Sequence, residues 1–269
     1  MSDFLQTMAE ASAERAQAAD PALRSALFEK PIVPLRLGAF DVIAEIKDRS
    51  PAEGVLATEE SNRAEQARQY ADGGAAAISV LTEPSRFSGS LEHLEEVVAA
   101  VPGTPVMRKD FLVEPIQILE ARNAGASGVL LIVTMLDDDK LRQMLDCAWQ
   151  HGMFVLLESF NSEDLLRATG LLDNEMGRKK ADEGQLLIGI NMRNLRTLEV
   201  DSERLEKLAP ELPQARCVAE SGLHTAEDAA RVAGLGYTLA LVGTALMRSD
   251  DPAELITQMR AAGSERFST

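Results

Sequence analysis

Charged and amide side chains close one apolar run after another along this chain: Val42-Ile43-Ala44-Glu45-Ile46-Lys47, Val106-Met107-Arg108-Lys109, Phe154-Val155-Leu156-Leu157-Glu158, Gly189-Ile190-Asn191-Met192-Arg193 and Val218-Ala219-Glu220. The ammonium groups of Lys47 and Lys109, the carboxylates of Glu45, Glu158 and Glu220 and the amide of Asn191 are the kinds of group that move protons and stabilise developing charge. A strand alternates its side chains, so Glu45 and Lys47 share the face of Ile43, Lys109 shares that of Met107, and Arg193 shares that of Asn191, while Arg108 faces away. A carboxylate such as Glu158, arriving after four apolar residues, has its pKa raised by desolvation or lowered by a neighbouring lysine, and either shift suits proton transfer. The competing explanation for Glu45 and Lys47 is an ion pair on the outer face of an edge strand. A strand covered by helices leaves no such face in water.

Two further turns suit an oxyanion. Glu220-Ser221-Gly222 and Val242-Gly243-Thr244 each put glycine just past an apolar run, where backbone N–H groups can approach a phosphate, and a short helix beginning at Thr244 would turn its positive end the same way. The segment Lys47-Asp48-Arg49-Ser50-Pro51-Ala52-Glu53-Gly54 reads as a shaped lid, with Ser50 and Lys47 placed to meet a carboxylate or phosphate.

Positioning these groups needs a repeated scaffold. Apolar runs at 41–47, 76–81, 105–109, 128–133, 154–158, 186–191, 216–220 and 238–242 alternate with amphipathic stretches at 63–73, 91–101, 115–124, 137–151, 226–234 and 252–262. Eight βα units in this length predict an α/β fold, a closed (β/α)8 TIM barrel, over an open doubly wound sheet. Barrel strands mount catalytic groups at their C-terminal ends, which is where the polar residues fall. Residues 1–40 are expected to be a helical extension packed on the barrel, with a helix over 2–19 that caps the floor or edges the mouth, and residues 41–269 the catalytic barrel. The charged stretch 171–184 is expected to be a solvated surface loop.

Composition narrows the function. The 269 residues carry 27 Lys and Arg against 43 Asp and Glu, a formal charge of -16, which repels a polyanion and argues against nucleic acid as a partner. A small phosphate ester, held by local groups, remains allowed. No run is long and apolar enough for a membrane span or a secretory leader, and Cys147 and Cys217 lack metal-ligand spacing, so a cytoplasmic protein with inert thiols is expected.

Taken together the motifs resemble the indole-3-glycerol-phosphate synthase family of tryptophan biosynthesis, from about Ile43 to Pro252. The resemblance rests on Ala44-Glu45-Ile46-Lys47 with Ser50-Pro51, on Ser79-Val80-Leu81-Thr82-Glu83 with Phe87-Ser88-Gly89-Ser90, on Arg108-Lys109-Asp110-Phe111, on Gly189-Ile190-Asn191-Met192-Arg193-Asn194-Leu195 and on Glu220-Ser221-Gly222. It implies decarboxylating, dehydrating ring closure of 1-(2-carboxyphenylamino)-1-deoxyribulose 5-phosphate, a carbon-carbon lyase reaction without metal or organic cofactor. It also implies Lys109 as general acid, Glu158 as its carboxylate partner, and Glu45, Lys47, Asn191 and Glu220 as orienting and stabilising groups. Ser50, Pro51, Phe111 and Arg193 would bind substrate, and Ser221, Gly222, Gly243 and Thr244 its phosphate. Association with other tryptophan-pathway enzymes stays open, as does a monomer or weak homo-oligomer. Against the family pattern stand Met192 for Asn, Asp48 for a basic residue, Ala52 for Ser, Ser159-Phe160 for Val-His, a shorter segment before the first strand, and the 171–184 insert. Met192, pointing away from Asn191, is expected to alter packing, and the lid changes to bear on substrate affinity. The alternatives are another phosphate-binding barrel, such as a sugar-phosphate isomerase, and a diverged relative with weak or no activity that binds a ligand or partner.

Overall fold

The computed structural model describes residues 3–51, 53–56, 62–193, 199–201 and 203–267; Ser2, Ala52, Asn194 and Leu195, named above, lie outside them. The runs rich in Val, Ile and Leu form eight parallel strands: β1 (Asp41–Ile46), β2 (Ala77–Leu81), β3 (Val106–Lys109), β4 (Gly128–Ile132), β5 (Phe154–Ser159), β6 (Leu186–Asn191), β7 (Cys217–Glu220) and β8 (Leu239–Val242). Each pairs with the next, and β8 closes on β1 through Ile43↔Leu241, giving the expected TIM barrel. Several strands begin one residue later than the apolar pattern suggested. Pro105 cannot donate to a ladder, and Arg216 instead donates from its side chain to Gly38 O at the barrel floor.

Strand alternation divides the core. Val42, Ala44 and Ile46 join Leu94, Val97, Ile118 and Met144 in the layer between sheet and helices, whereas Ile43, Met107, Leu130, Leu156, Val218 and Leu241 fill the barrel. The inward parity assigned to Ile43 and Met107 therefore holds, and it carries Glu45 and Lys109 to the rim above them.

The N-terminal segment does both jobs that were left open. Its helix, Asp3–Ala18, edges the mouth: Leu5 and Met8 reach the inner core, and Phe4 meets Phe111 edge-on at 5.8 Å. The connector runs to the opposite end, where Val33 N donates to Ser127 Oγ at 2.9 Å and Gly38 N to Asp41 Oδ2 at 2.6 Å. Docking of the helix depends on buried polar groups. Gln117 Nε2 donates to Ser12 Oγ at 2.8 Å, and Arg15 forks onto Asp110 with contacts of 2.9 and 2.7 Å.

Asp110 also accepts from Thr82 Oγ1 at 2.7 Å and Arg108 Nη2 at 3.1 Å. Burial works to raise its pKa, but the Arg15 hydrogen bonds and the two guanidinium charges prevail and hold it at about 2. The pKa is depressed, so this stabilisation is present above the unfolded carboxylate range and is lost as pH falls toward about 2. Asp110→Ala takes from part-buried Arg15 its carboxylate and leaves buried Arg108 with Glu120 as its counter-ion; we expect it to cost about 3 kcal/mol in urea unfolding at pH 7. A midpoint within error of wild type would refute that assignment.

Residues 171–184 differ from expectation. Rather than a solvated loop they form a 3-10 turn, Leu171–Asp173, and a helix, Glu175–Asp182, capped by Asn174 Oδ1 on Gly177 N at 2.8 Å. Leu172 and Ala181 are buried in the outer core. Charge density along the segment concealed one narrow apolar face.

Candidate active site

The strand C-termini open onto a cavity of about 450 Å³, lined by every site residue proposed from the sequence, from Glu45 and Lys47 through Ser50, Pro51, Phe111 and Arg193 to Gly243 and Thr244. Its floor is an ammonium ringed by carboxylates. Lys109 Nζ lies 3.3 Å from Glu158 Oε2, 3.6 Å from Glu220 Oε2 and 3.9 Å from Glu45 Oε2, and Lys47 Nζ lies 2.8 Å from Glu45 Oε1. Three strands of the barrel deliver the carboxylates; in the sheet register Glu158 stands beside Ile132 and Gly189, and Glu220 beside Asn191.

The environments separate two chemically identical side chains, Glu45 and Glu220. Burial acts to raise Glu45, yet the Lys47 and Lys109 ammonium groups win and hold it below the usual carboxylate range. Glu220 goes the other way. Burial, then the Glu158 charge, push it well above that range against the pull of Lys109. Its two oxygens are buried without a hydrogen-bond partner among the described residues. For Lys109, desolvation works to lower the pKa, but the Glu158, Glu220 and Glu45 charges outweigh it and keep the pKa above the ordinary lysine value. The site thus holds one firmly charged cation beside a carboxylate that takes up a proton readily.

Glu220 therefore costs stability when ionised. A folded-state pKa raised above the unfolded value stabilises fully below the unfolded value, and that contribution is lost as pH rises through the folded pKa. Glu220→Gln removes the ionised form while Lys109 keeps Glu158 and Glu45. We expect its thermal midpoint to rise by about 2–4 °C at pH 8, or about 1 kcal/mol, with a smaller gain at pH 5 and reduced turnover. A lower midpoint at pH 8 would contradict this balance of terms.

Around the charged floor the turns are shaped by contact. A Cβ on Gly243 would lie 2.5 Å from Glu45 Oε1, so glycine there clears space for the Glu45–Lys47 pair as well as exposing backbone. Ser221 and Gly222 both adopt left-handed conformations, φ 71° and 66°. For a serine that geometry is strained, and it is held by a hydrogen bond from Ser221 Oγ to Asn191 Oδ1 at 2.8 Å. Arg193 N donates to the same oxygen at 2.8 Å. Thr244 opens the short helix Thr244–Met247. Met192 is buried in the outer layer, as its parity required.

The lid is a small antiparallel hairpin of Arg49–Ser50 against Gly54–Val55. Asp48, atypical for the family, faces Arg63, to which it is ion-paired, and lies 3.9 Å from His93 Nδ1. It fastens the hairpin base to the helix Arg63–Asp72 and stays out of the cavity wall. Phe4, Glu53, Phe87 and Arg248 also line the cavity, though they received no role from the sequence. Phe87 lies 6.1 Å from the Phe111 ring, so Phe4, Phe87 and Phe111 form one aromatic wall. Phe87 and Glu53 belong to segments quoted above without a role of their own; Phe4 and Arg248 lie at helix ends, where strand parity gives no signal.

Comparison with known proteins shows the family. The family described as "Indole-3-glycerol phosphate synthase" matches residues 10–259. An indole-3-glycerol phosphate synthase of Nocardioides sp. is 44% identical over 259 residues, covering 94% of each chain. One from Salinibacter ruber is 40% identical over 233 residues, 86% of this chain and 81% of that protein. Among solved structures, 3-hexulose-6-phosphate synthase from Salmonella typhimurium superposes with a TM-score of 0.63 at 14% identity, over 84% of this chain and 100% of the other, a likeness of fold. With its barrel, its rim of lysines and carboxylates and these matches along nearly its whole length, the chain belongs to the indole-3-glycerol phosphate synthase family.

Proposed function

We propose that the cavity closes the pyrrole ring of indole-3-glycerol phosphate from 1-(2-carboxyphenylamino)-1-deoxyribulose 5-phosphate, releasing carbon dioxide and water. The observation that carries the residue roles is the Lys109 ammonium held within 3.9 Å of three buried carboxylates at the barrel mouth. In the first step the ring carbon bearing the carboxylate attacks the sugar ketone. The carbonyl oxygen gains negative charge, and Lys109 protonates it. Loss of carbon dioxide returns an electron pair to the ring. Dehydration then needs a proton delivered to the leaving hydroxyl and another removed from carbon, for which Glu158, beside the proton-retaining Glu220, is the exchanging group. Lys47 and Glu45 fix the Lys109 environment, and Asn191, oriented by Arg193 N and Ser221 Oγ, holds the sugar hydroxyls.

The two ends of the substrate have different chemistry, and so does the cavity. The aromatic wall, with Pro51 and Ser50 beside it, suits the carboxyphenyl ring and its carboxylate, while Arg193, which shares a Glu53 oxygen with Thr244, faces the phosphate end. Ser221, Gly222, Gly243 and Thr244 offer backbone N–H and hydroxyl donors to the phosphate. Both cysteines are free, with thiol pKa values pushed by burial to about 11 for Cys147 and about 12 for Cys217, so neither serves the reaction as a nucleophile.

Purified protein mixed with this substrate in chelator-containing buffer should form product with saturable kinetics, followed by indole fluorescence. Binding without conversion would favour a ligand-binding relative instead. Neither binding nor conversion would remove the proposed activity.

A further inference from the structure

Glu53, at the turn of the lid hairpin, reaches across the mouth to the loops after β6 and β8. Its Oε1 accepts from Thr244 Oγ1 at 2.9 Å and from Arg193 Nη2 at 3.3 Å, and its Oε2 lies 3.5 Å from Arg248 Nη2. The Glu53 side chain is one-fifth exposed, 20%, so this is a cavity contact rather than a surface one. A carboxylate and a phosphate are both oxyanions and seek the same donors. The Thr244 hydroxyl has one proton to give, and it cannot serve both.

We propose that Glu53 is an affinity-determining residue: a carboxylate of the chain itself, seated on the donors that receive the substrate's phosphate, which phosphate must displace in order to bind. The inference rests on the functional reading above for the identity of the anion. Two features make Glu53 displaceable. Its Oε2 is buried without a hydrogen bond among the described residues, so the seat is filled less completely than a phosphate would fill it. The hairpin has two residues in each strand, and its base is fixed by the Asp48–Arg63 pair and by Leu56 N donating to Asp48 O at 2.8 Å, so the turn can swing on a fixed root. Phosphate entry and lid movement are thereby one event, and the apparent phosphate affinity is reduced by the fraction of molecules in which Glu53 holds the seat.

The test is calorimetric titration of the full chain with inorganic phosphate, beside the KM for the ring-closure substrate. Glu53→Gln keeps an acceptor for Thr244 and loses the charge. We expect it to tighten inorganic phosphate about fivefold or more and to lower KM in the same direction, with Glu53→Ala agreeing. Adding Thr244→Val to Glu53→Gln should abolish the gain, because the contested donor is gone. Unchanged or weaker phosphate binding in Glu53→Gln would overturn the proposal, the weaker case marking Glu53 as a latch that closes over bound substrate. The two readings fail separately. A protein that never forms product yet binds phosphate more tightly as Glu53→Gln loses the synthase reading and keeps the competition. One that turns over normally with phosphate affinity indifferent to residue 53 keeps the synthase reading and loses the competition.

Discussion

Lys109→Ala is expected to lower kcat by about 10³–10⁴-fold with a smaller change in KM. The loss combines a missing proton donor with a missing positive charge at the oxygen where negative charge develops. Lys109 is also the hub of the floor, within 3.9 Å of Glu45, Glu158 and Glu220, so its removal leaves three carboxylates with Lys47 as their neutralising partner at the floor. The raised pKa of Lys109 means that its stabilising contribution is fully present below the ordinary lysine range and is lost as pH rises through the folded value. At neutral pH the alanine variant therefore loses stability as well as activity. Lys109→Arg separates the two effects. A guanidinium restores the charge and the fold but does not surrender a proton near neutrality, so its thermal midpoint should return toward wild type while kcat stays low. Rescue of turnover by arginine would show that Lys109 acts through its charge alone, and the general-acid role would be withdrawn.

Glu158→Gln should lower kcat by about 10²–10³-fold and reshape the pH dependence. In the wild-type site the Glu158 charge is the second cause, after burial, of the high Glu220 pKa. Neutralising residue 158 relieves that repulsion, so Glu220 ionises at lower pH in the variant than in the wild type. One limb of the kcat profile reports the Glu220 carboxyl, whose pKa the Glu158 charge helps to raise. That limb should move toward lower pH in Glu158→Gln. A limb that stays in place while kcat falls would mean that Glu158 positions substrate and leaves proton exchange to another group. The glutamine is close to isosteric with glutamate, and residue 158 is 2% exposed, so packing is little disturbed.

Catalytic charge and stability pull in opposite directions at this rim. Two lysines and three glutamates are taken largely out of water, and the resulting field suits a reaction whose intermediates change charge at successive atoms. Asp110 shows the complementary design one residue away. There the buried carboxylate is fully paired by Arg15, Arg108 and Thr82, its pKa falls, and it ties the N-terminal helix to the strand that carries Lys109. Neighbouring residues at the end of β3 thus give the cavity its ammonium and the N-terminal helix its anchoring carboxylate.

Much of the site was legible in the sequence because strand alternation is a local rule. Once Ile43 and Met107 are assigned to the barrel interior, Glu45, Lys47 and Lys109 must rise above them, and Arg108 must face away; the same rule buried Met192 outside while Asn191 lined the cavity. The count of βα units and the turn glycines at Gly222 and Gly243 are equally local. Other features depend on distances through space, which no period encodes. The opposite pKa shifts of Glu45 and Glu220 follow from the charges each one meets at the barrel mouth, and those are set by register between strands far apart in the chain. The N-terminal segment offered two places to dock, and the tertiary structure used both, because Phe4 finds Phe111 at the mouth while the connector finds Ser127 and Asp41 at the floor. Glu53 stood in plain view within the lid motif. Only the folded chain brings it onto Thr244 and Arg193, since a loop residue's reach is fixed by what its turn faces and not by its neighbours in sequence.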